Sequence, residues 1–500
     1  MTHSGLREKR TAILIAGFIT FLPMPASSQG RGGSDWSANG GDAQRSSWVR
    51  ADPKISAESM RSPGFQFMWK LKFRGDGGPL SAPVLTERYI GYRGFRTYAF
   101  IGGANDSVFT MDSDLSRLEW QKHFPIATKP GSGSCPGGMT AAVTRRLTPA
   151  MPSGAGGGGR GRGAAAKSGV GAPGEGAVTL PAIAAAPATG GRGPLAAPPA
   201  RGAAAGPGRG RTPEFLNALS SDGAFHSMYI SNGDEPAPPV KFLPPNANAS
   251  GLIVVDGVAY AETSGNCGGV PDGLWALDIA TKNVASFQAT LAGRNSPAFT
   301  PDGTVYVATA AGEMIALDPK TLTKKSSFDT GRPFVSSPII FETRGGNAAI
   351  AAAGADGMIR VFSAGNLASP SAFAAPGARG LSTWQDAAGT RWILASTPKE
   401  ITAFRSADAG FTPAWTSREI PSPTAPLIVN GVIFAAASGS LSSPARLYAL
   451  DAATGKELFS SANTVTSYIP ANGGLSAGGS AIYFGTHDGT FWAFGFPIEH

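Results

Sequence analysis

Cysteine is the residue type whose number and setting say most about the chemistry open to this chain. The only two, Cys135 and Cys267, lie in glycine-rich stretches, Gly-Ser-Cys135-Pro-Gly-Gly and Gly-Asn-Cys267-Gly-Gly. An even number of cysteines in an exported protein favours a disulfide. We therefore predict that Cys135 and Cys267 pair, the alternative being two free thiols. No Cys-x-x-Cys-His motif occurs, so the sequence offers no attachment site for a covalently bound haem.

The histidines and serines have no catalytic or metal-binding spacing. The five histidines are scattered, without the closely spaced pairs of metal sites: His3, His123, His226, His487 and His500. No Gly-x-Ser-x-Gly elbow indicates a serine hydrolase. We predict no metal site, and the local motifs identify no catalytic or cofactor-binding residue.

The acidic residues lie mainly where turns are expected. Asp278, Asp318 and Asp451 each follow an Ala-Leu pair and precede a turn, where a short carboxylate can accept backbone N–H bonds. We predict that these three cap turns rather than take part in catalysis. If the chain has a catalytic carboxylate, it must come from a residue whose local sequence carries no motif, such as Glu262 or Asp302.

Residues 1–28 have the features of a secretory signal peptide. Basic residues precede a short apolar stretch, and Ala26 and Ser28 are small residues placed for cleavage after position 28. The apolar stretch is shorter than the roughly 20 residues needed to span a bilayer. We expect a periplasmic or secreted protein without a transmembrane segment.

The positive charge of the chain is confined to two segments. Residues 1–28 carry a net charge of +2 and residues 151–212 carry +6, which together account for the formal charge of +8. The rest is neutral and has no electrostatic footprint for nucleic acid. Residues 151–212 consist largely of Gly, Ala, Pro and Arg, a composition that buries too little apolar surface to order itself. We predict a disordered insertion there.

Outside that insertion the chain repeats. The segments that begin at Gly273, Gly312 and Ala445 each contain an alternating strand ending in Ala-Leu-Asp, a turn and a second strand. Such pairs are typical of β-hairpins. Equivalent positions recur every 40 to 46 residues from Asp278 to Gly495, the period of a four-stranded propeller blade.

The repeat count predicts an all-β, eight-bladed β-propeller of four-stranded antiparallel blades over residues 65–500, preceded by a leading segment over 29–64. The last unit stops near Gly495, after its third strand, while Phe65–Phe73 is an alternating segment without a partner. We predict that this N-terminal strand completes the last blade, closes the ring and removes an exposed edge. We expect a monomer.

The Ala-Leu-Asp hairpins resemble the repeats of pyrroloquinoline-quinone (PQQ) dehydrogenases and their non-enzymatic propeller relatives, the quinoprotein alcohol dehydrogenase-like superfamily. Asp35-Trp36-Ser-Ala-Asn-Gly40-Gly41-Asp42-Ala-Gln-Arg45-Ser46 is similar to the Trp…Gly-Gly-Asp…Arg-Ser segment near the start of these proteins. The resemblance covers nearly the whole chain after position 28, except the insertion.

The chain departs from the dehydrogenases in the residues that carry their chemistry. They have two adjacent cysteines that form a ring disulfide over the quinone, whereas Cys135 and Cys267 lie far apart. The calcium-binding Glu and Asn and the catalytic Asp of the family have no local match.

Two function classes follow from the resemblance. The first, which the departures favour, is an exported, non-catalytic scaffold that binds a protein or a small molecule, as the outer-membrane assembly relatives do. The alternative is a soluble dehydrogenase that uses PQQ and calcium, oxidises an alcohol or sugar, and passes electrons to a separate cytochrome c.

Overall fold

The computed structural model describes most of the chain after position 34. The described residues are 1, 35–73, 78–91, 94–126, 131, 135–151, 214–408 and 410–497. The predicted signal peptide (1–28) and the predicted insertion (151–212) lie outside these ranges, apart from Met1 and Met151. Both remain predictions.

The described chain forms β-strands joined by turns, with two short 3-10 helices, Ser59–Arg61 and Cys267–Gly269. Strands β1 (Trp48–Val49) and β2 (Gln66–Lys72) come first, and the remaining strands form consecutive groups that we call blades 1 to 8. Blades 1 to 4 contain β3–β6 (Val84–Gly91, Gly94–Gly103, Ser107–Asp112, Arg117–His123), β7–β10 (Thr144–Leu147, Phe215–Leu219, Ala224–Tyr229, Val240–Lys241), β11–β14 (Ala249–Val255, Val258–Thr263, Gly273–Asp278, Val284–Gln288) and β15–β18 (Ala298–Phe299, Val305–Ala308, Glu313–Leu317, Lys324–Asp329). Blades 5 to 8 contain β19–β22 (Ile339–Glu342, Ala348–Ala353, Met358–Ser363, Asn366–Ala374), β23–β26 (Gly380–Gln385, Arg391–Ser396, Ile401–Ala407, Gly410–Thr416), β27–β30 (Leu427–Val429, Val432–Ala437, Arg446–Asp451, Glu457–Ser460) and β31–β33 (Ser476–Gly478, Ala481–Gly485, Thr490–Gly495) together with β2.

The strands within each blade pair antiparallel in chain order, and the predicted all-β propeller fold is confirmed. The N-terminal strand β2 pairs antiparallel with β33, from Gln66 opposite Gly495 to Lys72 opposite Thr490. The leading part of the chain thus supplies the fourth strand of blade 8. Blades 2 and 3 are further joined by a parallel pair of their first strands, β7 and β11.

Buried apolar side chains pack between consecutive blades. Blade 1 contributes Val84 and Phe100 to a cluster with Leu216 and Met228 of blade 2. Another cluster contains residues of blades 7, 8 and 1 together, including Phe434, Phe484 and Ile101. Each blade therefore buries apolar side chains on both faces against its neighbours.

The residues that we call the axial segment, Asp35–Arg50, run across the first strands of the blades. The backbone carbonyls of this segment accept hydrogen bonds from one N–H group in each of six first strands. The pairs are Leu85–Trp36, Arg145–Ser37, Phe299–Ala43, Ile340–Gln44, Thr383–Ser46 and Ile428–Ser47, with N···O distances of 2.8 to 3.0 Å. The axial segment therefore connects blades that are remote in sequence.

The repeated Ala-Pro or Ser-Pro dipeptide explains this pattern in four blades. Proline directly precedes the first strand in blades 1, 4, 5 and 7, as Pro83, Pro297, Pro338 and Pro426. The donor to the axial segment is in each case the second residue after proline, so the missing proline N–H costs no hydrogen bond.

The aspartates at the ends of the third strands cap turns, as predicted. Asp278 Oδ1 accepts the N–H groups of Ala280 and Thr281, at 3.1 and 3.0 Å. Asp318 and Asp451 make the same pair of bonds to the residues two and three positions further on. These carboxylates stabilise the hairpins of the repeat.

Cys135 and Cys267 form a disulfide, which confirms the predicted pair. Their Cα atoms are 5.5 Å apart and 132 residues apart in sequence. The bond joins the connection before β7 to the connection between β12 and β13. Met151 and Glu214, the described residues that flank the insertion, follow β7 and precede β8, at the opposite ends of these strands from Cys135.

Replacing both cysteines, Cys135→Ser with Cys267→Ser, is expected to lower the free energy of unfolding by about 2–4 kcal/mol, because the disulfide closes a long loop in the unfolded chain. Urea unfolding of both proteins measures this difference. As the control, a reducing agent should abolish most of it. Equal stability under oxidising conditions, or alkylation of two thiols in the native protein, would contradict the prediction.

Candidate functional site

Arg45 lies at the centre of the axial segment and is almost completely buried. Its guanidinium donates to three backbone carbonyls: Nε to Pro297 at 3.0 Å, Nη1 to Asn39 at 2.5 Å and Nη2 to Gly251 at 2.7 Å. Burial lowers the pKa of Arg45 to about 10, although the nearby carboxylates of Glu262 and Asp42 oppose that shift. Arg45 thus links the axial segment to blades 3 and 4 and carries positive charge into the centre of the molecule.

A cavity of about 320 Å³ lies directly against this segment, and we call it the arginine cavity. Its base is formed by axial residues, including Trp36, Asn39 and Arg45. Its walls come from the connections that precede the first strands of blades 4 to 8. The cavity therefore opens at the end of the blades where the first strands begin.

The charged side chains that line the arginine cavity are all cationic. They are Arg45 at the base and the exposed Arg294 and Arg379 in the walls, and no aspartate or glutamate is among the described lining residues. Asn295 also lines the cavity, and its Oδ1 atom is buried without a hydrogen-bond partner. The three guanidinium groups are complementary to an anion, such as a carboxylate, whereas the Asn295 oxygen can accept a hydrogen bond only from a donor group of a ligand.

Glu262 lies behind one wall of the cavity. It is 2% exposed, and its carboxylate accepts hydrogen bonds from Ser250 Oγ at 2.8 Å and from the Ser296 N–H at 3.2 Å. Burial raises the pKa of Glu262 to about 7, while these two bonds and the charges of Arg294 and Arg45 act in the opposite direction. Of the two carboxylates considered from the sequence, Glu262 and Asp302, Glu262 is thus the one that lies near Arg45 and the axial segment.

Asp302 has a different place. It accepts hydrogen bonds from the hydroxyls of Thr300 and Thr304, at 2.5 and 3.0 Å, in the turn between the first two strands of blade 4. Its role is the turn capping that we assigned to the other aspartates.

The described histidines are not brought together. His123 contacts Ser107, His487 stacks on Tyr468, and His226 lies between Ser220 and Glu235. Within the described ranges, no three His, Cys, Asp or Glu side chains are grouped so that they could hold a metal ion.

One contact that the sequence did not indicate resembles a hydrolytic triad. Ser220 Oγ is 2.9 Å from His226 Nε2, and His226 Nδ1 is 2.6 Å from Glu235 Oε1. However, Ser220 also donates to Asp222 at 2.5 Å, in the same turn that Thr300 forms with Asp302. The space beside Ser220 is only about 10 Å³, little more than a water molecule requires. Ser220 is therefore part of a turn that recurs in the repeat, with no room beside it for a substrate.

Comparison with known proteins supports the fold. A family model described as outer membrane protein assembly factor BamB matches residues 257–461. No curated protein matches the sequence. No helix in the part of the chain that the structure describes is long and apolar enough to cross a membrane.

Several solved structures are similar over most of the chain at low sequence identity. Quinohemoprotein alcohol dehydrogenase from Comamonas testosteroni is 12% identical, with a TM-score of 0.58 over 93% of this chain and 81% of that one. A europium-containing methanol dehydrogenase is 11% identical, with a TM-score of 0.54 over 93% and 99%. BamB from Moraxella catarrhalis is 12% identical, with a TM-score of 0.48 over 87% and 99%.

These identities are informative about the fold alone. The matched family model over residues 257–461 and the propeller fold of these structures agree with the resemblance of the hairpins that begin at Gly273, Gly312 and Ala445 to PQQ-like repeats.

Proposed function

We propose that this propeller is an exported, non-catalytic binding scaffold whose arginine cavity takes a carboxylate-bearing small molecule. The observation that carries the proposal is the charge of the cavity: Arg45, Arg294 and Arg379 line it without a described carboxylate among them. Charge-assisted hydrogen bonds to guanidinium groups are among the strongest that a carboxylate can make. The volume of about 320 Å³ suits a small organic acid.

Location outside the cytoplasm is part of the proposal. A disulfide between Cys135 and Cys267 persists in an oxidising compartment. The signal-like residues 1–28 are consistent with that destination. The family model that matches residues 257–461 is named for an assembly factor, which agrees with a scaffold rather than an enzyme.

The residues at the cavity do not fit the calcium ion of a quinone dehydrogenase. Calcium takes six to eight oxygen ligands, usually with carboxylates among them. The carboxylate of Glu262 lies behind the wall, where it already accepts bonds from Ser250 and Ser296. A quinone with carboxylate groups would suit the positive charge, but the described residues around the cavity offer no ligand set for the metal that activates it as a Lewis acid.

Calorimetric titration with succinate, citrate and pyrroloquinoline quinone tests the proposal. The double variant Arg294→Gln with Arg379→Gln is expected to weaken carboxylate binding at least tenfold, because each charged hydrogen bond contributes about 1.5–3 kcal/mol. Arg332→Gln, an exposed arginine outside the cavity, is the matched control and should bind as the unmodified protein does.

A dye-reduction assay with quinone and calcium, over a panel of alcohols and sugars, separates the two function classes. We expect no quinone-dependent turnover. Turnover that a chelator abolishes would establish the dehydrogenase alternative. Failure of every carboxylate to bind would contradict the cavity proposal.

A further inference from the structure

A second cavity lies on the other side of the axial segment. Side chains of this segment alternate: Arg45 and Ser47 line the arginine cavity, whereas Gln44, Ser46, Trp48 and Arg50 line a separate space of about 240 Å³. We call this space the Trp48 cavity. Its remaining walls come mainly from the first strands of blades 5 and 6 and from Arg391 at the start of β24.

Arg391 is the unusual residue of the Trp48 cavity. Arg391 is only 9% exposed, yet its Nε atom has no hydrogen-bond partner. Among the described residues its guanidinium forms no ion pair, and its contacts are with the faces of two rings. The Cζ atom lies 5.7 Å from the Trp48 ring centroid and 5.8 Å from that of Phe341.

A second guanidinium lies close to the first. Arg50 Cζ is 4.3 Å from the Trp48 ring centroid. Its Nη1 atom is 3.5 Å from Asp42, but the Asp42 carboxylate also accepts stronger bonds from the N–H and hydroxyl of Ser46, at 2.9 and 2.5 Å. Glu342 also borders the cavity, but its side chain is exposed.

The direction of the pKa shifts of Arg391 and Arg50 agrees with the lack of an ion-pair partner for Arg391 among the described residues. Burial, and secondarily the positive charge of Arg50, lowers the pKa of Arg391 to about 10, while the carboxylate of Glu342 acts in the opposite direction. Burial also lowers the pKa of Arg50. A buried charge without a partner is costly, so Arg391 destabilises the fold unless something compensates it.

We propose that the Trp48 cavity is a second binding site, for the carboxylate or phosphate group of a small molecule. The oxyanion accepts hydrogen bonds from Arg391 and Arg50, and Trp48 forms the wall against which the rest of the ligand packs. This site is distinct from the arginine cavity, since the axial segment lies between the two. Its occupation does not depend on the function proposed above.

Trp48 fluorescence provides the test. Titration with sodium phosphate and with sodium succinate, at constant ionic strength in sodium chloride, should change the emission of the wild-type protein in a saturable manner. Trp48→Phe should remove that change, which assigns the signal among the nine tryptophans. Saturation by only one of the two salts identifies the oxyanion as phosphate or carboxylate.

Arg391→Gln is expected to raise the Kd for the oxyanion at least tenfold, with a melting temperature in oxyanion-free buffer that is not lower than that of the wild type. The Arg294→Gln and Arg379→Gln double variant should retain the response, which separates this site from the arginine cavity. If Arg391→Gln does not fold, Arg50→Gln decides, with the same expected loss of affinity. An unchanged Kd in the folded variant, or no saturable response to either salt, would overturn the proposal.

Discussion

A chain that lacks residues 1–73 is expected to aggregate, or to melt at a markedly lower temperature than the full chain. Strand β2 covers β33, whose residues Phe491, Trp492 and Phe494 are completely buried. Without β2, that strand becomes an exposed apolar edge, which favours association with other chains. The deletion also removes the carbonyls of the axial segment, to which six blades donate.

Size-exclusion chromatography and thermal unfolding measure this effect. The matched control is a deletion of residues 1–34 only, which leaves the axial segment and β2 in place and should remain monomeric with the melting temperature of the full chain. A protein without residues 1–73 that stays monomeric and melts as the full chain does would show that ring closure by β2 contributes nothing.

Replacement of one side chain should have the next largest effect. Arg45→Met is expected to lower the free energy of unfolding by at least about 3 kcal/mol, because three carbonyls lose a charged hydrogen-bond donor. Methionine fills much of the space, but the carbonyls of Pro297, Asn39 and Gly251 lose their donor. Each buried acceptor left without a donor costs about 1–3 kcal/mol.

Chemical unfolding of Arg45→Met beside Arg332→Met isolates the contribution of the buried guanidinium. Arg332 is exposed, and no hydrogen bond of its side chain is present among the described residues, so its replacement should change the free energy by less than about 0.5 kcal/mol. A loss of less than about 1 kcal/mol for Arg45→Met would mean that the axial segment is held by its backbone bonds alone.

The parts of this fold that could be predicted from sequence are those that the repeat encodes locally. Alternating residues before Asp278, Asp318 and Asp451 predict strands with a buried face, and each aspartate caps the turn that follows. The segment Phe65–Phe73 has no partner in its own part of the sequence, and the last unit lacks its fourth strand, so together they predict that the two pair. In the first case neighbouring residues along the chain determine the outcome, and in the second the count of strands in the repeat does.

The candidate sites could not be predicted in this way. The axial segment forms its bonds to the blades through backbone carbonyls. Because every residue type has this group, the sequence does not indicate these bonds. The walls of the arginine cavity come from connections in five blades, where Arg294 and Arg379 share no motif. The resemblance of Asp35–Ser46 to the start of family members was visible, but its position across the first strands was not. Glu262 and Arg391 differ from ordinary surface charges only in their burial, which the fold imposes.

The contacts of Asp52 and β2 with the C-terminal blade determine the order in which parts of the chain can fold. Asp52 accepts hydrogen bonds from Ser480, 428 residues further along the chain. Strand β2 is separated from its partner β33 by a similar length of chain. Because the N-terminus leaves the ribosome first, these residues spend nearly the whole period of synthesis without their partners. Blades can form one at a time as they emerge, but the last step must join the two ends. Such long-range contacts make folding slow, and β2 has no pairing partner until β33 is made.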